Sequence, residues 1–265
     1  MTKEKETFIA LFKDFEYRYE PRKVFDDFLT MTVASLAYNP KTNLSYDEDL
    51  YLETIALYKD DKLRFHFPKM LGHLLLEMDE RAGSSEGNDV IGEFFDEKFG
   101  RKSKGQHFTP WHICKFMASC TSANLENFPE NERTLNILDP CCGSGRMLLA
   151  SGRENGMHHN YFGIDIDHTC VKMTVLNLFF NGLFDAEVMW ADALMPDDFR
   201  MSYQLSFLPI GVFRISEKEK SSLWNMHSES FKKNRQPDFE NAPILSSKLV
   251  GKIHKEQGGS QLVLL

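Results

Sequence analysis

Three features of the sequence predict an α/β protein built on a parallel sheet, with a small α-helical domain ahead of it. Between residues 134 and 192, short apolar segments alternate with amphipathic ones in strand–helix–strand–helix–strand order. A glycine turn, Asp139-Pro140-Cys141-Cys142-Gly143-Ser144-Gly145, joins the first of these strands to the first helix. The first hundred residues carry apolar side chains at helical spacing. The expected division is a helical domain over 1–100, a sheet domain over 101–215 and a polar, partly disordered C-terminal tail over 216–265.

The elements follow in chain order. Phe8, Leu11, Phe12 and Phe15 mark a first helix, and Val24, Phe25, Phe28 and Leu29 a second that Pro21 opens. Met70, Leu71, Leu74, Leu75 and Met78 mark another. Residues 83–88 read as a loop, and Val90, Ile91, Phe94 and Phe95 as a short helix ended by Gly100. Thr109 and Pro110 suit the cap and first position of a helix whose face is Ile113, Phe116, Met117 and Cys120. Strands are expected at 134–138, 161–165 and 186–190, with one or two β segments between Tyr203 and Ile215. From about Lys233 on, poor packing or disorder is expected.

Composition excludes several classes. The net charge is -8, so any nucleic-acid contact must use a local basic patch rather than the whole surface. No apolar run approaches the roughly 18 residues of a membrane span. The residues after Met1 do not resemble a secretory signal. Five cysteines with no Cys-x-x-Cys pair suggest reduced thiols in a cytoplasm, and no Cys/His spacing suggests zinc or another metal. His158-His159 is expected as a surface turn.

The chemistry gathers at strand ends. Gly143 and Gly145 let the backbone approach a ligand closely, and the following helix offers amide donors. Asp165 lies twenty positions after Gly145, at the end of the second strand, where a carboxylate takes both hydroxyls of a ribose. Asp192 ends the third strand, where an adenine ring would lie. A dinucleotide fold wants a third glycine, but Leu148 stands at that place. Asp139 would repel a pyrophosphate and would pair with the amino group of a methionine-like cofactor. S-adenosylmethionine is therefore the expected ligand.

Gly105-Gln106-His107-Phe108-Thr109-Pro110, the glycine turn, Gly163-Ile164-Asp165 and Ala191-Asp192-Ala193-Leu194 together resemble the adenine-N6 DNA methyltransferases, specifically the modification subunits of type I restriction–modification systems. The resemblance runs from about Asp89 to about Leu194. It implies a Rossmann-like S-adenosylmethionine-dependent methyltransferase domain behind the helical one. It also implies site-specific adenine methylation of double-stranded DNA and a specificity or methylase partner subunit. Phe108, Thr109 and Pro110 would border the methionine part of the cofactor. Asp139, Pro140, Cys141, Gly143 and Gly145 would form its loop. Asp165 and Ile166 would hold the ribose side, and Asp192 with Ala193 would meet the adenine.

The sequence departs from the family at one place. The family has Asn-Pro-Pro-Phe or Asn-Pro-Pro-Tyr after its fourth strand, where the Asn and a proline carbonyl accept hydrogen bonds from the target amino group and the ring stacks on the flipped base. No Asn-Pro-Pro occurs here, and the nearest segment is Ser206-Phe207-Leu208-Pro209-Ile210-Gly211. Only 73 residues follow Asp192 (265 − 192), so the catalytic half of the sheet is expected to be truncated or diverged. No catalytic residue is assigned. The expectation is slow or absent methyl transfer; the alternative is a catalytically inactive accessory protein that binds cofactor or DNA. Cys141 is not read as the cysteine nucleophile of cytosine-C5 enzymes, whose cysteine lies on a later strand; Cys141 and Cys142 are expected as packing residues of the turn. Arg101, Lys102 and Lys104, with Lys98, are the candidate phosphate contacts.

Overall fold

The computed structural model describes residues 7–38, 47–84, 87–100, 108–125, 134–195, 197–234 and 262–264. Arg101, Lys102 and Lys104 therefore lie outside the described residues, as do Gly105, Gln106 and His107 and the segment 235–261 for which disorder was expected.

The N-terminal part is helical: α1 Phe8–Lys13, α2 Pro21–Leu36, α3 Glu48–Ile55, α4 Asp61–Arg64, α5 His66–Arg81 and α6 Val90–Phe95, the last running into a π-helical turn, Asp96–Gly100. Local chemistry starts these helices. The Thr7 hydroxyl accepts from the Ala10 amide, and Glu20 accepts from the amides of Arg22 and Lys23 just ahead of α2, with Pro21 at its first position. Phe8, Phe12, Phe15, Phe25, Phe28, Phe95 and Phe99 are all buried. They meet mostly edge-on or tilted, as with Phe8 on Phe28 at 5.4 Å.

The second part alternates: α7 Trp111–Leu125, β1 Asn136–Asp139, α8 Arg146–Asn155, β2 Asn160–Asp165, α9 His168–Phe180, β3 Ala186–Trp190, β4 Met201–Phe207, β5 Ile210–Ile215, α10 Ser222–Asn234 and β6 Leu262–Leu264. The six strands make one sheet in the order β5-β4-β3-β2-β1-β6. β6, β1, β2 and β3 are mutually parallel, and β4 and β5 are an antiparallel hairpin on the β3 edge. This is an α/β sheet of the Rossmann-like kind. Every residue of β1 is buried, as a parallel strand covered on both faces requires.

The core is continuous from Phe8 and Phe25 through Phe95 to Leu148, Val175, Val188 and Val212, so packing does not break near residue 100. α2 is tied to α9 by Lys172, whose ammonium reaches Asp26 at 2.6 Å and Thr30 at 2.9 Å. On the other face of the sheet, Leu138, Phe162, Ile164 and Met189 pack with Leu223 of α10 and half-buried Trp224 and Met226.

Three expectations need correction, and one helix face points away from the core. The segment from 216 on, expected as a polar tail, supplies α10 and β6, because α10 covers that second sheet face. The α7 face of Ile113, Phe116, Met117 and Cys120 points outward: all four are exposed, and Cys114, Ala118 and Ala150 are buried at the contact with α8. Small residues win there because they let two helices approach closely. His159 is buried rather than a surface residue, with its Nδ1 facing the Leu135 amide at 3.4 Å. Finally, Ser206–Gly211 is the tip of the β4–β5 hairpin, where Phe207, Leu208 and Ile210 are exposed. The parallel order 3-2-1-4 of doubly wound sheets puts the fourth strand beside the first. Here that place belongs to β6.

Candidate functional site

Parallel strands bring their C-terminal ends to one edge, so Asp139, Asp165 and the residues after Trp190 converge there without further constraint. Asp139 ends β1 and is 7% exposed; its carboxylate accepts from the Cys141 amide at 3.0 Å. The chain then turns through Gly143 at φ +57° and Gly145 at φ +84°, left-handed values that favour glycine. Space demands glycine too. A Cβ on Gly145 would stand 3.2 Å from the Thr174 backbone, and one on Gly143 would stand 2.8 Å from the Phe108 ring.

The acids are wired to this turn. Asp165 accepts from the Gly143 amide at 2.9 Å and from the Asp167 amide at 2.8 Å, so β2 holds the loop by a charge-assisted bond. Asp192 accepts from the Leu194 amide at 2.9 Å, and its own amide donates to Asp198 at 2.7 Å. Cys141 is exposed, and its thiol pKa is raised by partial burial and by the charges of Asp139, Asp165 and Asp192 together. Cys141 is thus a crevice-facing residue and not the packing residue expected; Cys142 is buried and fills that role.

Electrostatically the crevice gathers carboxylates. Burial, and the Asp165 charge nearby, push the Asp139 carboxyl up to about 6. Burial, opposed by amide hydrogen bonds, also raises Asp165. Among the described residues no ion pair closes on Asp139, Asp165 or Asp192. Such a site favours a cation with hydrogen-bond donors, such as an ammonium group.

The remaining expected residues surround this edge. Phe108 is half-buried with its ring on Gly143; Thr109 and Pro110 are exposed. The Pro110 carbonyl accepts the first helical bond of α7, from Cys114 at 3.1 Å, so the helix starts one residue later than expected. Pro140 is half-buried in the turn, and Ile166 is exposed at the crevice lip. The Ile166 carbonyl is held by the Trp190 indole at 2.9 Å and by Arg200 at 3.2 Å. Ala193 is half-buried, and its carbonyl meets His227 at 2.9 Å. Lys98, grouped with the basic patch, instead ion-pairs with Glu16 and lies over the Phe12 ring. Among the described residues no group of three or more His, Cys, Asp or Glu side chains is placed to hold a metal.

Two features behind the crevice were not read from the sequence. His168 stacks on Trp190 at 4.3 Å, and burial with the nearby Lys172 pushes its imidazole down to about 4, so it stacks uncharged at neutral pH. Asp89 is 1% exposed and accepts from Ser144, Arg146, Asn177 and the Gly92 amide. A charged residue directly after Gly145, at the start of an otherwise apolar helix face, was the available signal for its partner Arg146.

Comparison with known proteins places these observations. Residues 88–210 match the N-6 DNA methylase family. A type I restriction enzyme methylase subunit (MjaVIII) from Methanocaldococcus jannaschii is 27% identical over 135 residues, which is 47% of this chain and 22% of the relative. Among solved structures, a class I S-adenosylmethionine-dependent methyltransferase from Listeria monocytogenes aligns with TM-score 0.35 and 12% identity over 66% of this chain and 49% of its own. A type I restriction-modification methyltransferase subunit from Streptococcus thermophilus aligns with TM-score 0.30 and 11% identity, over 67% and 57%. The chain thus spans about a fifth of the curated relative and about half of each solved structure. It resembles the adenine-N6 DNA methyltransferase family, and within it the type I modification subunits.

Proposed function

We propose that this chain binds S-adenosylmethionine in the crevice at the ends of β1, β2 and β3 and acts with adenine-N6 methylation of double-stranded DNA. The observation that carries the reading is the convergence of Asp139, Asp165 and Asp192 on a glycine turn, with no ion pair among the described residues closing on them. Asp139 would take the cofactor's amino group, Gly143 and Gly145 with Pro140 and Cys141 would line its methionine part, and Phe108, Thr109 and Pro110 would border it. Asp165 and Ile166 would hold the ribose side, and Asp192 and Ala193 the adenine. When bound, the cofactor supplies a sulfonium methyl group. Residues 101–215 would be the cofactor domain, with the helices of 1–100 packed behind it. Arg101, Lys102 and Lys104 would neutralise DNA phosphates beside the crevice, and a specificity or methylase subunit would be the protein partner. The setting would be cytoplasmic.

Methyl transfer by these 265 residues alone is expected to be very slow or absent. Adenine N6 is a poor nucleophile, because its lone pair is delocalised into the ring. Two acceptors at the amino hydrogens and a stacked base must compensate. The family's acceptors follow the strand beside β1; here that strand is β6, and no Asn-Pro-Pro occurs among these residues. Losing one such hydrogen bond costs roughly 10²–10³ in rate. A second reading is an accessory protein that binds cofactor or DNA without transferring methyl. Calorimetry with S-adenosylmethionine and S-adenosylhomocysteine tests the binding; no heat with either refutes it. A single-turnover assay with labelled cofactor on adenine-rich duplex DNA tests the transfer, and robust methylation refutes the expectation.

A further inference from the structure

The Asp89–Arg146 pair has no part in the reading above, and both of its charges are buried. Asp89 caps α6 through the Gly92 amide at 2.8 Å. It accepts from the Ser144 hydroxyl at 2.6 Å, the Asn177 amide at 2.6 Å and Arg146 Nε at 2.7 Å. All four partners donate, so Asp89 serves as an ionised acceptor. Arg146 is 8% exposed, and its guanidinium continues past Asp89. Nη1 donates to the Thr109 carbonyl at 3.1 Å, Nη2 lies 3.5 Å from Asp96, and the guanidinium carbon sits 5.8 Å from the centre of the Phe108 ring. Phe108 in turn presses on Gly143, leaving no room for a Cβ there.

We infer that Arg146 is a positioning residue: anchored by Asp89, it latches the Phe108–Pro110 segment against the cofactor loop and thereby sets cofactor affinity. The inference rests on the cofactor reading for its functional consequence, but the latch itself is a statement about the chain. The Thr109 carbonyl, ahead of α7, meets the weak Cys114 thiol donor at 3.4 Å. Arg146 adds a charged donor while its Nε remains on Asp89. The planar fork makes both bonds at once, and a lysine ammonium cannot span the two. The glycine turn and the Phe108 wall are thereby held in one register although they lie more than 30 positions apart in sequence.

Arg146→Lys keeps the positive charge beside Asp89 and gives up the bond to Thr109. Hydrogen exchange of the full chain without ligand should rise in the peptide covering residues 108–118 and stay unchanged in β2. Unchanged exchange at 108–118, or an equal rise everywhere, would overturn the latch. With S-adenosylhomocysteine as probe, Arg146→Lys should weaken binding about tenfold or more, as the loss of a charge-assisted bond does. In a Phe108→Ala background the same substitution should have little further effect, because both act through one contact. Additive losses would mean that Arg146 acts only on general stability and would overturn the inference. If Arg146→Lys does not fold, Phe108→Ala at its half-buried position tests the other end without ligand: a rise in hydrogen exchange in the peptide covering residues 139–145 supports the proposal, and unchanged exchange there overturns it. A wild-type chain that binds no cofactor refutes the cofactor reading, and the exchange comparison then decides the latch by itself.

Discussion

Replacing Asp139 by asparagine should make the ligand-free protein more stable at neutral pH while weakening its hold on the cofactor. The carboxyl is 7% exposed and is pushed up to about 6 by burial and by Asp165, from an ordinary value of 3.8. A folded-state value above the unfolded one means that the proton favours the folded chain. The ionised group therefore imposes no penalty below about pH 4, a growing one between pH 4 and 6, and a constant one above. Two pKa units correspond to about 3 kcal/mol. The amide side chain keeps the acceptor that the Cys141 amide uses and removes the charge, so about 3 kcal/mol is the ceiling of the gain, less whatever the new N–H groups lose by lacking partners. Urea unfolding of both proteins without cofactor at pH 4, 5, 6 and 7.5 should give equal stabilities at the lowest pH and a gap that opens through pH 5 and 6. A gap independent of pH, or a variant less stable at pH 7.5, would refute the electrostatic account of this crevice. The same reasoning makes cofactor affinity fall about tenfold per pH unit below 6 in the wild type, since only the ionised carboxylate pairs with an ammonium, and the Asp139→Asn variant should lose that dependence.

Asp165→Ala should weaken cofactor binding by roughly 2–3 kcal/mol, the loss of a charge-assisted pair of bonds, and equal binding by calorimetry would remove Asp165 from the site. Neutralising Arg101, Lys102 and Lys104 together should reduce the salt slope of DNA binding by about one unit for each lost phosphate contact; an unchanged slope would make them ordinary solvated residues. Glu187→Ala should cost about 3 kcal/mol in chemical unfolding, because the buried carboxylate accepts from Ser202, Ser221 and the amides of Ser222 and Leu223 and so binds β4 and the start of α10 to β3. A loss under about 1 kcal/mol would show that those donors find other partners.

What was legible in the sequence is what short-range rules encode. Helix spacing, strand alternation, the Pro21 start, the glycine turn and the acids at strand ends depend on residues a few positions apart, and β3 lies at the residues expected of it. The placement of Asp139, Asp165 and Asp192 at one edge also follows from sequence once the strands are parallel, because parallel strands share a C-terminal edge. The tertiary structure decided the rest. The polar-looking segment around Leu223 folds because Leu138, Phe162, Ile164 and Met189 on another part of the chain need a cover. The apolar stripe of α7 faces water because small residues elsewhere on that helix fit α8 more closely. Asp89 finds Ser144, Arg146 and Asn177 at sequence separations of 55, 57 and 88, and β6 lies beside β1 across a separation longer still. Periodicity carries no record of such pairings: a buried charge is tolerated only where distant donors converge on it, and that convergence exists only once the chain has folded.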